Sequence, residues 1–185
     1  MPKVRCLAMG KLREPNRVKL ITGLLSADTS FFPKVKKILE KKFGMVDFKS
    51  DETDFTHTDY YAKEMGSNLK RVFFSFERLL DLKDIYAVKR WTNRLEDEFL
   101  KSGKRTVNID PGYLDLSKVI LLSTKDYSHR IYLNKGIFAE VTLFYKNNSY
   151  NPWPWTYPDY RTKAYIDVFN HIRQIYKKAN QGSAC

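Results

Sequence analysis

The sequence predicts an α+β domain with a mainly antiparallel sheet, built on a ferredoxin-like βαββαβ unit with a C-terminal β-hairpin and a terminal helix. Three observations predict it. Apolar runs and amphipathic stretches alternate as strand, helix, strand, strand, helix, strand, the split βαβ pattern. "HRIYLNKGIFAEVTLFYK" then reads as two strands around a glycine turn. A last stripe of Tyr165, Ile166, Phe169, Ile172 and Tyr176 recurs with helical period.

The elements follow in order. "RVKLITGLLS" is a short apolar run read as a buried strand. In "TSFFPKVKKILEKKFG" the residues Phe32, Val35, Ile38, Leu39 and Phe43 turn inward on a helix, which Ser30 is placed to cap and Gly44 to end. Its Lys34, Lys37 and Lys41 then share a solvated stripe. "MVDFKSDETDF" runs extended into an acidic loop, and "FTHTDYYAKEMGSNL" is polar with one short helical turn. "KRVFFSFERLL" is a Phe-rich strand. "DLKDIYAVKRWTNRLEDEFLKSG" is the clearest helix, with Leu82, Ile85, Val88, Leu95 and Phe99 toward the core and Gly103 at its end.

"KRTVNID" and "KVILLS" are strands, separated by "DPGY", which reads as a turn because Pro fixes φ and Gly accepts positive φ. Thr106, Asn108 and Asp110 share one face of the first, a pattern that usually means solvent. In the hairpin, a three-residue loop Asn134 to Gly136 sets Leu133 opposite Ile137 and Arg130 opposite Glu140. "YNPWPWTYPDYR" is a proline-aromatic loop ahead of the last helix.

The 185 residues suit a single domain over 1–185, with 1–16 as an N-terminal extension and 17–180 as the folded core. Eight glycines and seven prolines exclude a low-complexity chain. No apolar run reaches the roughly 18 residues that span a bilayer, so no membrane partner is expected. The basic N-terminus carries too short an apolar stretch for a signal peptide. Cys6 and Cys185, near opposite ends, form no zinc set and suggest a reduced, cytoplasmic protein. The net charge of +12 divides as +8 over 1–44, −2 over 45–103 and +6 over 104–185. That balance suits an anionic ligand or a polyanion.

Several chemistries are excluded. GxxxxGK[ST], HExxH, CxxC pairs, GxSxG and GxGxxG are absent. "TKDY" and "NKGI" approach the guanine-reading NKxD but lack its final Asp. Of three histidines, His171 lies off the apolar stripe of the last helix, and His57 sits in a loop among hydroxyls. His129 opens a strand directly after "TKDYS" and is the candidate acid/base group, histidine being the side chain that changes charge near neutrality. Asp110 and Asp126 are placed to orient it or to hold a divalent cation. Lys125, Arg130 and Arg161 are the candidate grips for phosphate or carboxylate, with Glu140, Tyr157 and Asp159 beside them. The rings of the proline-aromatic loop would cap the core edge or form a lid against a planar ligand.

At these segments the chain resembles the uncharacterised bacterial and archaeal family known as domain of unknown function 4416. The resemblance runs from about Val18 to Tyr176, through "FTHTDYYAKEMG", "LKRVFFSFERL", "NIDPGYL", "STKDYSHRIYL", "GIFAEVTLFY" and "WTYPDYR". It covers Asp59, Tyr60, Tyr61, Glu64, Asp110, Lys125, Asp126, His129, Arg130, Glu140, Asp159 and Arg161. It implies no established activity. A GTP-binding label attached to some members finds no motif here to support it.

Three readings follow. The first is a polar pocket for a small anionic ligand, phosphorylated or nucleotide-like, with acid/base or metal-assisted hydrolysis or transfer as the reaction class. The second is binding of RNA or another nucleic acid, from charge and abundant tyrosine. The third is a protein-interaction module docking through the proline-aromatic loop. No pattern specifies a cofactor, a resident metal or an oligomeric state.

Overall fold

Strand β1 (Val18–Ser26) is buried at every position, which requires a neighbour on each edge and cover on each face. The computed structural model describes residues 12–56 and 62–182. Cys6, Cys185, His57, Asp59, Tyr60 and Tyr61 therefore lie outside the described residues, as does most of the N-terminal extension. The neighbours of β1 are β4 (Lys70–Leu80) and β5 (Asn108–Leu114), both antiparallel. Outside β4 lies β2 (Val46–Lys49), with the short β3 (Thr53–Asp54) against the start of β4. On the other side follow β6 (Lys118–Ser123), β8 (Ile137–Lys146) and, at the edge, β7 (Arg130–Asn134). The order is β2-β4-β1-β5-β6-β8-β7, and β9 (Ser149–Pro152) pairs with β8. The α+β class and the mainly antiparallel sheet are as the sequence predicts.

Helices cover both faces. On one, α1 (Phe31–Phe43) and α3 (Tyr86–Glu98) bury Phe32, Val35, Leu39, Val88 and Leu95 against Leu20, Leu24, Phe74, Ile109 and Ile120. On the other, α4 (Lys163–Gly182) packs Tyr165, Phe169, Ile172 and Tyr176 onto Ile21, Phe73 and Leu143. Phe73 and Phe74 thus feed opposite cores, as alternation along a strand dictates. Helix α2 (Ala62–Met65) is a single turn whose Met65 packs with Leu25, Phe55 and Leu69.

Four local expectations need correcting. Ser30 does not cap α1 with its side chain; Asp28 takes that place, its Oδ1 accepting the Ser30 N–H at 3.0 Å and its carbonyl the Phe31 N–H at 3.2 Å. Helix α3 ends at Glu98, and Gly103 instead takes φ +74° in the turn between Lys101 and Lys104. The hairpin turn holds two residues, not three: Asn134 faces Ile137, and Lys135 and Gly136 both take positive φ. A register shift after Tyr132 absorbs the difference, so Arg130 still faces Glu140.

The fourth correction concerns "DPGY", which is strand rather than turn. Asp110, Pro111 and Gly112 pair with Gly23, Thr22 and Ile21 of β1. The Ile109 backbone points away from β1, where the Glu96 carboxylate accepts its N–H at 2.7 Å and Lys89 Nζ donates to its C=O at 2.9 Å. Pro111, two residues on, points the same way, and β6 begins pairing only at Gly112. The missing N–H of Pro111 therefore leaves no strand partner unsatisfied. Lys89 and Glu96 stand in for the strand that is absent there, which is why two charged residues of α3 are buried.

Gly112 faces Leu121 where β5 begins to pair with β6. A Cβ there would run into the Ile120 carbonyl oxygen and lie 3.0 Å from Leu121 Cδ2. Because the obstacle is main chain, Gly112→Ala is expected to destabilise by about 2–3 kcal/mol. A urea melt of the variant beside wild type checks this; an unchanged midpoint would mean the strands separate freely at that point.

Candidate functional site

Glu140 lies on the sheet face that α4 covers elsewhere, in the middle of β8. Its side chain is 1% exposed. A buried carboxylate needs partners on both oxygens, and it has them. Arg130 Nε donates to Oε2 at 2.9 Å, His129 Nε2 lies 3.2 Å from the same oxygen, and the Thr142 hydroxyl meets Oε1 at 3.2 Å. Arg130, directly across the strand pair, spreads its remaining donors over Ser123 Oγ at 2.8 Å, the Lys125 carbonyl at 3.0 Å and the Tyr157 hydroxyl at 3.0 Å.

This frame fixes the His129 ring at the wall of an open groove of about 520 Å³, lined by Ser128, His129, Pro154 and Trp155. With Nε2 turned to Glu140, Nδ1 is the ring's remaining hydrogen-bonding atom. Trp155 lies parallel to His129, with centroids 5.7 Å apart and planes 16° apart, and Trp153 stacks behind it at 5.1 Å and 7°. The Tyr127 ring lies 5.9 Å from His129, tilted by 34°. The loop that brings the tryptophans is braced against β8 and within itself. Trp155 Nε1 donates to the Val141 carbonyl at 3.1 Å, and the Thr156 hydroxyl bonds the Thr142 carbonyl at 2.5 Å. Arg161 reaches the carbonyls of Thr156 and Pro154, each at 2.6 Å.

A second polar cluster occupies the same face further inward. Arg71, 2% exposed, lies between the rings of Phe55 and Phe73 and donates Nη1 to Asp110 Oδ2 at 2.8 Å. Its Nη2 is 3.8 Å from Asp159 Oδ2. Gly23 leaves the room: a Cβ on it would stand 2.9 Å from Arg71 Nη1. Burial pushes the Asp110 carboxyl up, but Arg71 and Lys89 outweigh it and hold the group below its ordinary value. For Asp159 burial wins over Arg71 and the carboxyl stands above its ordinary value. Burial likewise raises Glu96.

The candidates named from sequence thus separate. His129, Arg130, Glu140 and Tyr157 come together at the groove, with the Lys125 backbone behind them. Asp126 lies exposed on the loop before β7. Asp110 and Asp159 belong to the Arg71 cluster; β6 and β8 stand between Asp110 and β7, about 14 Å at ordinary strand spacing. Arg130 and Arg161, expected to grip an anion, bind groups of their own chain. Among the described residues no group of three or more His, Cys, Asp or Glu side chains could hold a metal. Sequence reasoning missed Arg71, Lys89 and Glu96, and it did not single out Trp155 from the other rings of its loop.

No curated protein and no solved structure matches the chain in sequence or fold comparison. No helix among the described residues is long and apolar enough to cross a membrane. A family-level comparison does match, over residues 16–176, and so takes in every strand and helix named above except the last residues of α4. The chain belongs to the family described as Domain of unknown function (DUF4416).

Proposed function

We propose that the chain binds a nucleotide-like anionic ligand in the groove lined by Ser128, His129, Pro154 and Trp155, the base lying against the part of the Trp155 indole left exposed. The observation that carries this is the buried Glu140, which fixes a partly exposed histidine, 22% exposed, against a parallel tryptophan. An indole face and an oriented imidazole edge are what a heteroaromatic base uses for stacking and one hydrogen bond. His129 Nδ1 supplies that bond, and in a transfer or hydrolysis step it is the group placed to move a proton. Lys125, exposed on the loop before β7, supplies charge for the phosphate.

Adenosine monophosphate is the probe, with quenching of tryptophan fluorescence as the readout. Trp155→Ala is expected to weaken binding by about 5–100-fold, the usual worth of one stacked base, and His129→Ala to weaken it as well. The solvated lysines of α1 are the control. Lys34→Gln, Lys37→Gln and Lys41→Gln together should leave adenosine monophosphate binding unchanged while reducing the salt slope of polyanion binding by about 2. Equal losses in both assays for both sets of variants would sink the groove and favour one continuous basic surface.

A further inference from the structure

We infer that the ligand is a single strand of nucleic acid rather than a lone nucleotide, with a second base station on the Tyr132 and Phe138 rings. This rests on the reading of the groove given above. Tyr132 stands two residues beyond Arg130 on edge strand β7, so it faces the same side of the sheet, about 6.7 Å further along. Phe138 lies directly across from it on β8, two residues before Glu140. The two rings meet edge to face at 5.4 Å and 66°.

Tyr132 is 58% exposed, an unusual state for a ring beside a sheet face, and Tyr157 at 42% and Trp155 at 38% lie on the same side. Exposed rings gathered along one sheet edge offer a surface to a partner. What it takes follows from its spacing and charge. Tyr132 stands three residues along the chain from His129, about 10 Å at strand spacing, which the backbone of the next one or two nucleotides spans. The rings are mostly tyrosine, whose faces stack while their hydroxyls remain wet, rather than the aliphatic side chains of a protein-docking core. Exposed Lys125 precedes β7 and exposed Lys135 lies in its turn, so a backbone running along the edge finds a cation near each end.

The experiment compares adenosine monophosphate, the dinucleotide and a pentanucleotide of adenosine on the full chain at fixed salt. Binding is expected to tighten by about 5–100-fold from one to two bases. Tyr132→Ala is expected to remove that increment while leaving the mononucleotide affinity intact, and Trp155→Ala to weaken all three probes. Tyr132 is exposed on an edge strand, so the variant keeps its fold, and a thermal melt verifies this. Mononucleotide binding with no gain on lengthening overturns the second station and leaves the groove. A gain that survives Tyr132→Ala overturns it too. Absence of binding by every probe overturns both readings, and capture of an unstructured peptide instead would assign the exposed rings to a protein partner.

Discussion

Arg71→Ala is expected to lower stability by about 3–5 kcal/mol, the cost of leaving buried carboxylates without their cation. For a chain of this size that is about 6–20 °C in the thermal midpoint. Arg71 is 2% exposed, and it alone among the cluster's groups touches both Asp110 and Asp159. Removing it leaves Asp159, at 8% exposure, with no ion-pair partner among the described residues. The pair itself contributes little net stability, since its attraction mainly offsets desolvation. Replacing the set together, with Arg71→Met, Asp110→Asn and Asp159→Asn, should therefore recover most of the loss. A single variant within about 1 kcal/mol of wild type in urea would show that the cluster is open to solvent.

The same cluster sets a pH dependence of mixed sign. Asp110 titrates below its ordinary value when folded, so its contribution is complete above the unfolded value and is lost as pH falls through the folded one. Asp159 and Glu96 titrate above theirs, so folded protein binds protons that unfolded chain has released. Stability therefore falls as pH rises from their unfolded to their folded values. For these three groups the maximum is expected in the ordinary carboxylate range, where the first window ends and the second begins.

Much of the fold was legible because its elements obey their periods. The stripe from Phe32 to Phe43 and the run in "KRVFFSFERLL" sit where alternation and helical spacing put them. The Arg130–Glu140 register survived a wrong turn length because a bulge near Leu133 compensates. What was hidden shares one cause, which is that local pattern assigns polar side chains to solvent. Lys89, Thr92 and Glu96 form a stripe at i, i+3 and i+7 on α3, yet all three are buried. The lone strand segment around Ile109 needs hydrogen bonds there, and nothing within the helix announces that need. Asp110 shares its strand face with Asn108, and the cover that makes this face interior arrives with α4, more than fifty residues later. For the site, the signal was the pair Arg130 and Glu140 at hairpin spacing. Trp155 could be placed over His129 only once the loop was seen folded onto β8.

Glu140→Ala joins stability to function, and it separates two roles of one carboxylate. The side chains of Glu140 and Arg130 are 1% and 3% exposed, so truncating the first leaves a guanidinium buried beside a histidine with no counter-charge. About 3–5 kcal/mol of destabilisation is expected. Glu140→Gln keeps the volume and one oxygen able to accept from Arg130. Its cost should be smaller, about 1–3 kcal/mol for the weakened charge-assisted bonds. With its oxygen in the Oε2 position the amide lacks the negative charge that draws both Arg130 and His129 to it, and its NH₂ faces the Thr142 hydroxyl. The imidazole is then held less firmly, and its alignment with Trp155 loosens. Adenosine monophosphate quenching should fall in Glu140→Gln nearly as far as in His129→Ala, although the protein stays folded at 25 °C. In a double-mutant cycle, Glu140→Gln and His129→Ala should be strongly non-additive, because each removes the same oriented ring. Additive losses would mean that Glu140 serves the hairpin alone, and that the groove does not depend on the buried charge behind it.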